Sequence, residues 1–271
     1  MLLEAVTGMT RLALITRPEH PVSGEHSAAF RAWCERRRTG VPIAYLLGRR
    51  EFYGLEFAVS PEVLIPRPET ELLVELALGR INDGARRIVD LGTGSGALAI
   101  AVAKNAPAAE VWAVDVSAQA IAVARANAER HRVSIRLLES DWFAALGNER
   151  FDVIVANPPY VPRNDPHLGE GDLRFEPRGA LIGGADGLDS VRAVVERAPA
   201  HLSRDGWIGI EHGYDQGRLV AALLLASGFQ GITRHNDLAG IWRVTSGTTA
   251  TGRPENQRSS PTEPQASNNL E

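Results

Sequence analysis

The residues best suited to chemistry in this chain are gathered at Asn157-Pro158-Pro159-Tyr160. Asn157 brings a side-chain carbonyl oxygen, Pro158 a main-chain carbonyl, and Tyr160 a flat ring with a hydroxyl at its far end. Two successive prolines fix φ, remove two N–H donors and hold Asn157 out of the helical region, so the segment is stiff and cannot re-enter a sheet. Such an array suits a planar NH2 group. The nitrogen of an amide or aromatic amine is a poor nucleophile because its lone pair is delocalised. Two acceptors that engage both hydrogens orient that nitrogen and favour the positive charge that builds up as it attacks an electrophile. The same tetrapeptide also fits an ordinary turn after a strand. A second motif upstream favours the chemical reading.

That motif is Asp90-Leu91-Gly92-Thr93-Gly94-Ser95-Gly96, between an apolar run and a helical stretch. Gly92 and Gly94 permit a tight turn and close backbone approach, and the helix start after Gly96 is expected to aim N–H groups into the crevice. Asp115 ends the next apolar run, 23 residues beyond Gly92, where a carboxylate can accept both hydroxyls of a ribose. It also fits a helix N-cap before Ser117. Gly92, Gly94 and Ala97 satisfy the relaxed G-x-G-x-x-A pattern, which a dinucleotide binder shares. The Asn157 edge offers acceptors for a substrate NH2 group and nothing that hydride transfer needs, so a methyl sulfonium donor fits better. Asp141-Trp142-Phe143 should lie beside a nucleoside held over Asp115, with Asp141 meeting an exocyclic amine and Trp142 the ring face. Trp142 and Phe143 fit equally as hydrophobic cover for a sheet.

The elements that must position these residues alternate. Residues 87–91, 110–115, 133–138, 151–156 and 207–211 read as strands, separated by helical stretches 97–104, 117–130, 187–201 and 215–227. Two further strands, 231–235 and 241–245, lie too close together for a helix between them and should pair antiparallel. The fold class is α/β: a doubly wound, mostly parallel seven-stranded sheet with an antiparallel last strand. Residues 63–246 form this domain. At its start Pro66 and Pro68 bracket Arg67 in an extended segment, and Glu69-Thr70-Glu71 opens an amphipathic helix through Leu72, Leu73, Leu76 and Ala77. Residues 49–62 read as a hairpin linker around Gly54. Residues 1–48 form a short helical cap of two or three helices, broken between Pro18 and Pro21, with Phe30, Trp33 and Cys34 among its apolar positions. So small a unit must dock on the rest. The polar residues 247–271 read as a disordered tail. Asp165, His167 and Glu176 fall in a loop after Tyr160 that suits a substrate-covering lid, with His167 as a loop hydrogen-bonding residue.

Composition narrows the setting. The 271 residues are 44% hydrophobic and 23% charged with a net charge of −4, and the isoelectric point is about 6.0. That balance argues against life on a nucleic-acid backbone, and Arg36-Arg37-Arg38 and Arg49-Arg50 read as solvated clusters. A single cysteine, Cys34, excludes an internal disulfide and a cysteine-rich metal site, and suits a reducing cytoplasm. Glu4 interrupts the opening apolar residues, so no export signal is expected. The longest later apolar run, 219–226, is far below the roughly 20 residues that span a bilayer.

DLGTGSG with Asp115, DWF and NPPY resembles the Rossmann-like class I S-adenosylmethionine-dependent methyltransferases. PIAYLLGRREFYGLEF, VLIPRPETE, DPHLGEGDLRFEP and IEHG resemble one branch of them, the release factor glutamine methyltransferases, over residues 2–244. The resemblance implies transfer of a methyl group from S-adenosyl-L-methionine, leaving S-adenosyl-L-homocysteine. The acceptor it implies is the side-chain amide nitrogen of the glutamine in the Gly-Gly-Gln motif of class 1 peptide-chain release factors. It also implies donor contacts at Gly92, Thr93, Gly94, Ser95, Gly96, Asp115, Trp142 and Asn157, and substrate contacts at Asn157, Pro158, Pro159 and Tyr160. Arg67, Phe175 and Glu176 would be pocket walls. Against that family the cap reads as truncated by about a helix or two. Three other readings stay open: an adenine amino-methyltransferase acting on DNA or RNA, a glutamine methyltransferase of a ribosomal protein, and a NAD-dependent or non-catalytic nucleotide binder.

Overall fold

In the computed structural model, which describes residues 1–249, the chain opens with Leu2–Thr7 (α1), Arg11–Thr16 (α2), Gly24–Arg38 (α3) and Ile43–Leu47 (α4). This is more than the two or three helices expected, because local stop and start signals divide the segment finely. Gly8 and Gly48 close α1 and α4 in left-handed conformations, while the Thr10 and Ser23 hydroxyls accept from the Ala13 and His26 N–H groups. None of α1 to α3 buries a residue, and Cys34 is exposed rather than packed as its spacing suggests. Arg49–Phe52 (β1) and Leu55–Ala58 (β2) then pair antiparallel, as the alternation around Gly54 predicts. Phe52 and Phe57 are both buried, 6.1 Å apart and edge to face, and join the main core.

A 3-10 turn at Pro68–Thr70 leads into Glu71–Asn82 (α5). The alternating part follows as Arg87–Leu91 (β3), Ala97–Asn105 (α6), Glu110–Asp115 (β4), Ala118–His131 (α7), Arg136–Glu139 (β5) and Phe151–Ala156 (β6). It continues with Arg178–Leu181 (α8), Asp189–His201 (α9), Leu202–Glu211 (β7), Gly217–Ala226 (α10), Gln230–Asn236 (β8) and Trp242–Thr248 (β9). The seven-stranded sheet runs β5-β4-β3-β6-β7-β9-β8. Strands β3 to β7 pair in parallel; β9 is antiparallel to both β7 and β8, so the last strand lies inside the sheet and β8 takes the edge. Alternate residues of the central strands feed two cores. Ile88, Val111 and Val153 pack with α5 and α6, and Val89, Val114 and Ile154 with α9 and α10. Each such fully buried side chain contributes about 1.5–3 kcal/mol. The connections change direction between β3 and β6, which opens a crevice at the carboxyl ends of β3, β4 and β6. The Asn157 and Gly92 motifs both stand there.

Three boundaries differ from the sequence reading. Residues 133–135 do not join β5, because Arg132 turns left-handed (φ 54°) and the Val133 N–H bonds back to the Ala128 carbonyl, closing α7. Strand β7 starts at Leu202 rather than 207, since Leu202 pairs with Phe151 ahead of an irregular stretch in which Asp205 has φ 62°. Gly247 and Thr248 belong to β9 rather than to a tail, paired with Ile208 and Trp207. A Cβ on Gly247 would sit 2.8 Å from Ile232 Cδ1, so glycine is there for close packing. The remainder of the expected tail, 250–271, lies outside the described residues. Among the described residues no helix is long and apolar enough to cross a membrane.

Candidate active site

The carboxyl end of β3 is shaped by left-handed glycines. Gly92, Gly94 and Gly96 have φ of 75°, 55° and 80°, a region that residues with a Cβ enter at a cost. A Cβ on Gly96 would lie 2.9 Å from Ile100 Cδ1 and 3.1 Å from Ala124 Cβ, so this glycine brings α6 and α7 together. Four of the loop's N–H groups are engaged within the protein. Gly92 and Thr93 N–H both donate to the Val114 carbonyl, Gly94 N–H to Asp115 Oδ2 at 2.8 Å, and Gly96 N–H to the Thr93 carbonyl. The Ala99 N–H of the first helical turn serves Asp90. A pyrophosphate would need those donors, whereas a sulfonium nucleoside does not.

Asp115 is the centre of this loop. Its Oδ1 accepts from Ser117 N–H at 2.9 Å, and the N-cap of α7 is Ser117, whose hydroxyl accepts from Ala120 N–H. Asp115 is therefore not the helix cap. Burial raises its carboxyl above the ordinary range, opposed by the N–H groups of Ser117, Gly94 and Val116. These N–H groups share its two oxygens, which still leaves acceptor capacity for a ligand hydroxyl. Beneath it Asp90 is buried, with the Thr93 hydroxyl donating to Oδ2 at 2.6 Å. Burial pushes Asp90 up to about 7.

A cleft of about 260 Å³ passes between Gly92, Gly94 and Asp115 on one side and Ser140, Asp141 and Trp142 on another, ending at Asn157 and Pro159. A smaller hollow beneath it, lined by Arg67, Thr70, Thr93 and Ser95, shares Gly92, Gly94 and Asn157. Trp142, with φ 50°, turns its ring toward Gly92, whose Cβ would sit 3.5 Å from it. Phe143 is buried in the core, stacked on His201 at 4.6 Å, so of the two aromatic residues it is the cover.

The Asn157 side chain is held from one side. Its Nδ2 donates to Thr70 Oγ1 at 3.1 Å, which leaves Oδ1 as the free acceptor. Pro158 is buried, and among the described residues its carbonyl enters no backbone pairing. Tyr160 does not line the cleft; its hydroxyl points to Glu211 Oε1 at 3.5 Å, and burial raises that hydroxyl's pKa. Arg67 forms an ion pair with the buried carboxylate of Glu176, which also accepts the Ile65 N–H at 3.1 Å. Phe175 stands apart from the cleft, under the Arg174 guanidinium at 4.8 Å. His167 is exposed and tied to Asp165 through its backbone N–H and Nδ1, the loop role expected of it.

Several supports escape motif reading. Thr70 reads as part of a helix start, Glu211 as a strand end, and Asn127 as one position of a helical stretch. Asn127 is fully buried: its Nδ2 donates to the Ala58 and Ser95 carbonyls, and its Oδ1 accepts from Ala58 N–H, clamping hairpin and glycine loop to α7. The backbone after Asn157 is packed by glycines. A Cβ on Gly183 would lie 2.3 Å from the Pro159 carbonyl oxygen, and one on Gly187 would lie 2.3 Å from that of Tyr160. The cluster Gly183-Gly184, Ala-Asp, Gly187 is the one sequence signal that could have found this.

Comparison with known proteins places these features in context. Residues 68–168 match the family model described as "Methyltransferase small domain", and residues 1–48 the one described as "PrmC N-terminal domain". The chain is 50% identical over 255 residues to the release factor glutamine methyltransferase of Burkholderia pseudomallei, covering 91% of this chain and 90% of that one. It is 48% identical over 248 residues to the protein of the same name from Pseudomonas aeruginosa, with the same coverage. Among solved structures, the 16S rRNA N2 G1207 methyltransferase of T. thermophilus, determined with AdoMet and guanosine, superimposes with a TM-score of 0.56 at 24% identity. That match covers 74% of this chain and 50% of the other, and shows a shared fold.

Proposed function

The chain belongs to the release factor glutamine methyltransferase family and is a methyltransferase, and we propose that it moves a methyl group from S-adenosyl-L-methionine to the side-chain amide nitrogen of the glutamine in the Gly-Gly-Gln motif of class 1 peptide-chain release factors. The observation that carries this reading is the polarity of Asn157: with Nδ2 engaged by Thr70, Oδ1 is available to accept from an NH2 group. The donor, when bound, supplies an electrophilic methyl group on a sulfonium sulfur. The residues present fit it. Asp115 keeps acceptor capacity for ribose hydroxyls, Asp141 and Trp142 flank the far end of the cleft, and the backbone of Gly92, Thr93, Gly94, Ser95 and Gly96 forms a wall that Trp142 and Asn157 face. Asn157 Oδ1 and the Pro158 carbonyl take the two amide hydrogens of the glutamine and present its nitrogen toward the donor. Pro159 and the glycines behind it keep the two acceptors rigid. Tyr160 stands behind the two acceptors with its hydroxyl toward Glu211, and Arg67, paired with Glu176, lines both the hollow and a groove on the cap side.

The test offers the purified protein labelled S-adenosyl-L-methionine with an intact class 1 release factor, its Gln→Ala variant in the Gly-Gly-Gln motif, a ribosomal-protein acceptor, and DNA or RNA. Label on the intact factor alone is the expected result. Label on nucleic acid or on the ribosomal protein would replace the acceptor. The same amine-holding geometry could serve an adenine, but the net charge of −4 offers no general attraction for a phosphate backbone.

A further inference from the structure

Glu211 ends β7 inside the protein, 1% exposed, beside the site yet outside the cleft. The reaction as read above does not use it. Two hydroxyl groups face its carboxyl. That of Tyr160 donates to Oε1 at 3.5 Å, and that of Thr70 lies near enough to favour the ionised form. Among the described residues Glu211 Oε2 has no hydrogen-bond partner, so the carboxylate keeps an acceptor for the Thr70 hydroxyl. Thr70, 8% exposed, in turn accepts from Asn157 Nδ2 at 3.1 Å. These groups come from the 3-10 turn before α5, the end of β6 and the end of β7.

The physical problem they meet is that a side-chain amide is nearly symmetric in shape. Asn157 presents Oδ1 or Nδ2 to the cleft by a half-turn of χ2, and only the first accepts a substrate N–H. Thr70 alone cannot choose between them, because a hydroxyl both donates and accepts. An ionised carboxylate can only accept. With Glu211 ionised the Thr70 proton is drawn to it, the Thr70 lone pairs are left for Asn157, and only the Nδ2 end is compatible with them. With Glu211 protonated the chain of donors can reverse, so that Thr70 donates to Asn157 Oδ1 and the NH2 end faces the substrate.

We propose that Glu211 and Thr70 are a positioning pair that sets the orientation of the Asn157 amide, with the carboxylate form of Glu211 holding the accepting state. The proposal rests on the reading of Asn157 as the residue that receives the substrate amide. Burial, with a smaller push from Glu69, raises Glu211 to about 7 against the lowering effect of the Thr70 hydroxyl, Arg243 and the Tyr160 hydroxyl. Arg243 is itself ion-paired to Asp237 at 3.2 Å. The next residue, His212, is bound to the Gly213 carbonyl and the Thr245 hydroxyl. The accepting state is therefore populated above about pH 7 and lost below it.

The experiment measures single-turnover methylation of an intact release factor by the full chain between pH 6 and 8.5, for wild type, Thr70→Ser, Thr70→Val and Glu211→Gln. The wild-type rate is expected to rise about tenfold through pH 7 as one proton leaves. Thr70→Val is expected to lower the plateau ten- to a hundredfold, to abolish the pH 7 limb, and to leave donor affinity and factor KM within twofold. Thr70→Ser restores both rate and limb, and Glu211→Gln keeps a reduced rate with no limb. A flat wild-type profile overturns the proposal, and so does a Thr70→Val enzyme that is slow but retains the limb, which would reduce Thr70 to packing. Should Thr70→Val fail to fold, the wild-type and Thr70→Ser profiles still decide. Absence of any methylation by wild type would instead overturn the reading of the acceptor, which separates the two failures.

Discussion

Asn157 contributes by geometry rather than by ionisation, and that fixes what its loss should do. It contacts the donor cleft only at its end, while Gly92, Gly94, Asp115 and Trp142 form most of the wall. Asn157→Ala is expected to bind S-adenosyl-L-methionine within about threefold of wild type and to lose on the order of 10²–10³ in kcat, the usual scale for a missing preorganised polar group at a reacting atom. Calorimetric titration of the donor beside turnover checks it; wild-type turnover would remove Asn157 from the chemistry. Asp90 makes a different kind of prediction. Its carboxyl is raised to about 7 by burial when folded and titrates near the ordinary aspartate value when unfolded. Between those values the folded state holds the proton more tightly than the unfolded state, so stability falls as pH rises through the window and levels off above about 7. The shift sets an upper bound of ~4 kcal/mol. Asp90→Asn, which still accepts the Thr93 hydroxyl, is expected to flatten the melting temperature between pH 5 and 8 relative to wild type, as read by thermal melts across that range. An unchanged slope would mean that Asp90 ionises freely in the fold.

At the level of elements, the site is a meeting of strand ends held in register by what packs behind them. The β-branched runs that make β3, β4 and β6 are buried on both faces, so the sequence announces them plainly and the positions of Gly92, Asp115 and Asn157 follow. What could not be read is everything that depends on which element lies beside which. Thr70 and Glu211 are 141 positions apart and meet only because the helix after Pro68 crosses the carboxyl end of β7. Glu211 did leave a trace, an acid closing the otherwise apolar Trp207-Ile-Gly-Ile run. Residues 133–135 misled because Val and Ile suit a helix's closing turn packed on the core as well as they suit a strand. Asn127 shows how such hidden supports work. It ties both β2 and the glycine loop to α7 through three hydrogen bonds, beside Arg130 and His131, which reach Glu56 of β2. Asn127→Ala would strand the Ala58 N–H and two carbonyls away from water. It is expected to destabilise the fold by roughly 2–4 kcal/mol and to weaken donor binding through the loosened Ser95 end of the loop. Denaturant unfolding with and without donor tests both effects, and a loss below ~0.5 kcal/mol would show that water repairs the gap.

Across the whole molecule the question is what the small helical cap is for, since it buries almost nothing of its own. It reaches the catalytic domain at few places. The Tyr45 hydroxyl donates to the Val63 carbonyl at 2.7 Å; Arg37 pairs with Asp172 at 3.0 Å; and the Arg174 guanidinium donates to the Thr39 carbonyl. The last two contacts join α3 to the loop that carries Glu176, the partner of Arg67. Between the cap, the hairpin and that loop runs an open groove of about 880 Å³, lined by Met1, Glu4, Met9, Arg49, Arg50, Arg67 and Asp172. It is larger than the donor cleft and lined by charged side chains of both signs, which suits a surface that receives a macromolecule rather than a reacting group. The arginine contacts are half-exposed, so their worth to stability is small, below ~1 kcal/mol each. Their effect on the loop is larger in principle, because they are its ties to the cap. The double variant Arg37→Ala with Arg174→Ala is therefore expected to shift the melting temperature by no more than about 2–4 °C and to leave donor affinity unchanged. It should raise KM for an intact release factor several-fold while leaving kcat/KM for a short Gly-Gly-Gln peptide as it was. That divergence between the two substrates is the readout. A peptide too small to touch the cap reports only on Asn157 and its neighbours, whereas the intact factor also reports on whether cap and loop present one continuous surface. Equal effects on both would mean that the arginines act on the site itself, and no effect on either that the loop holds its place without the cap.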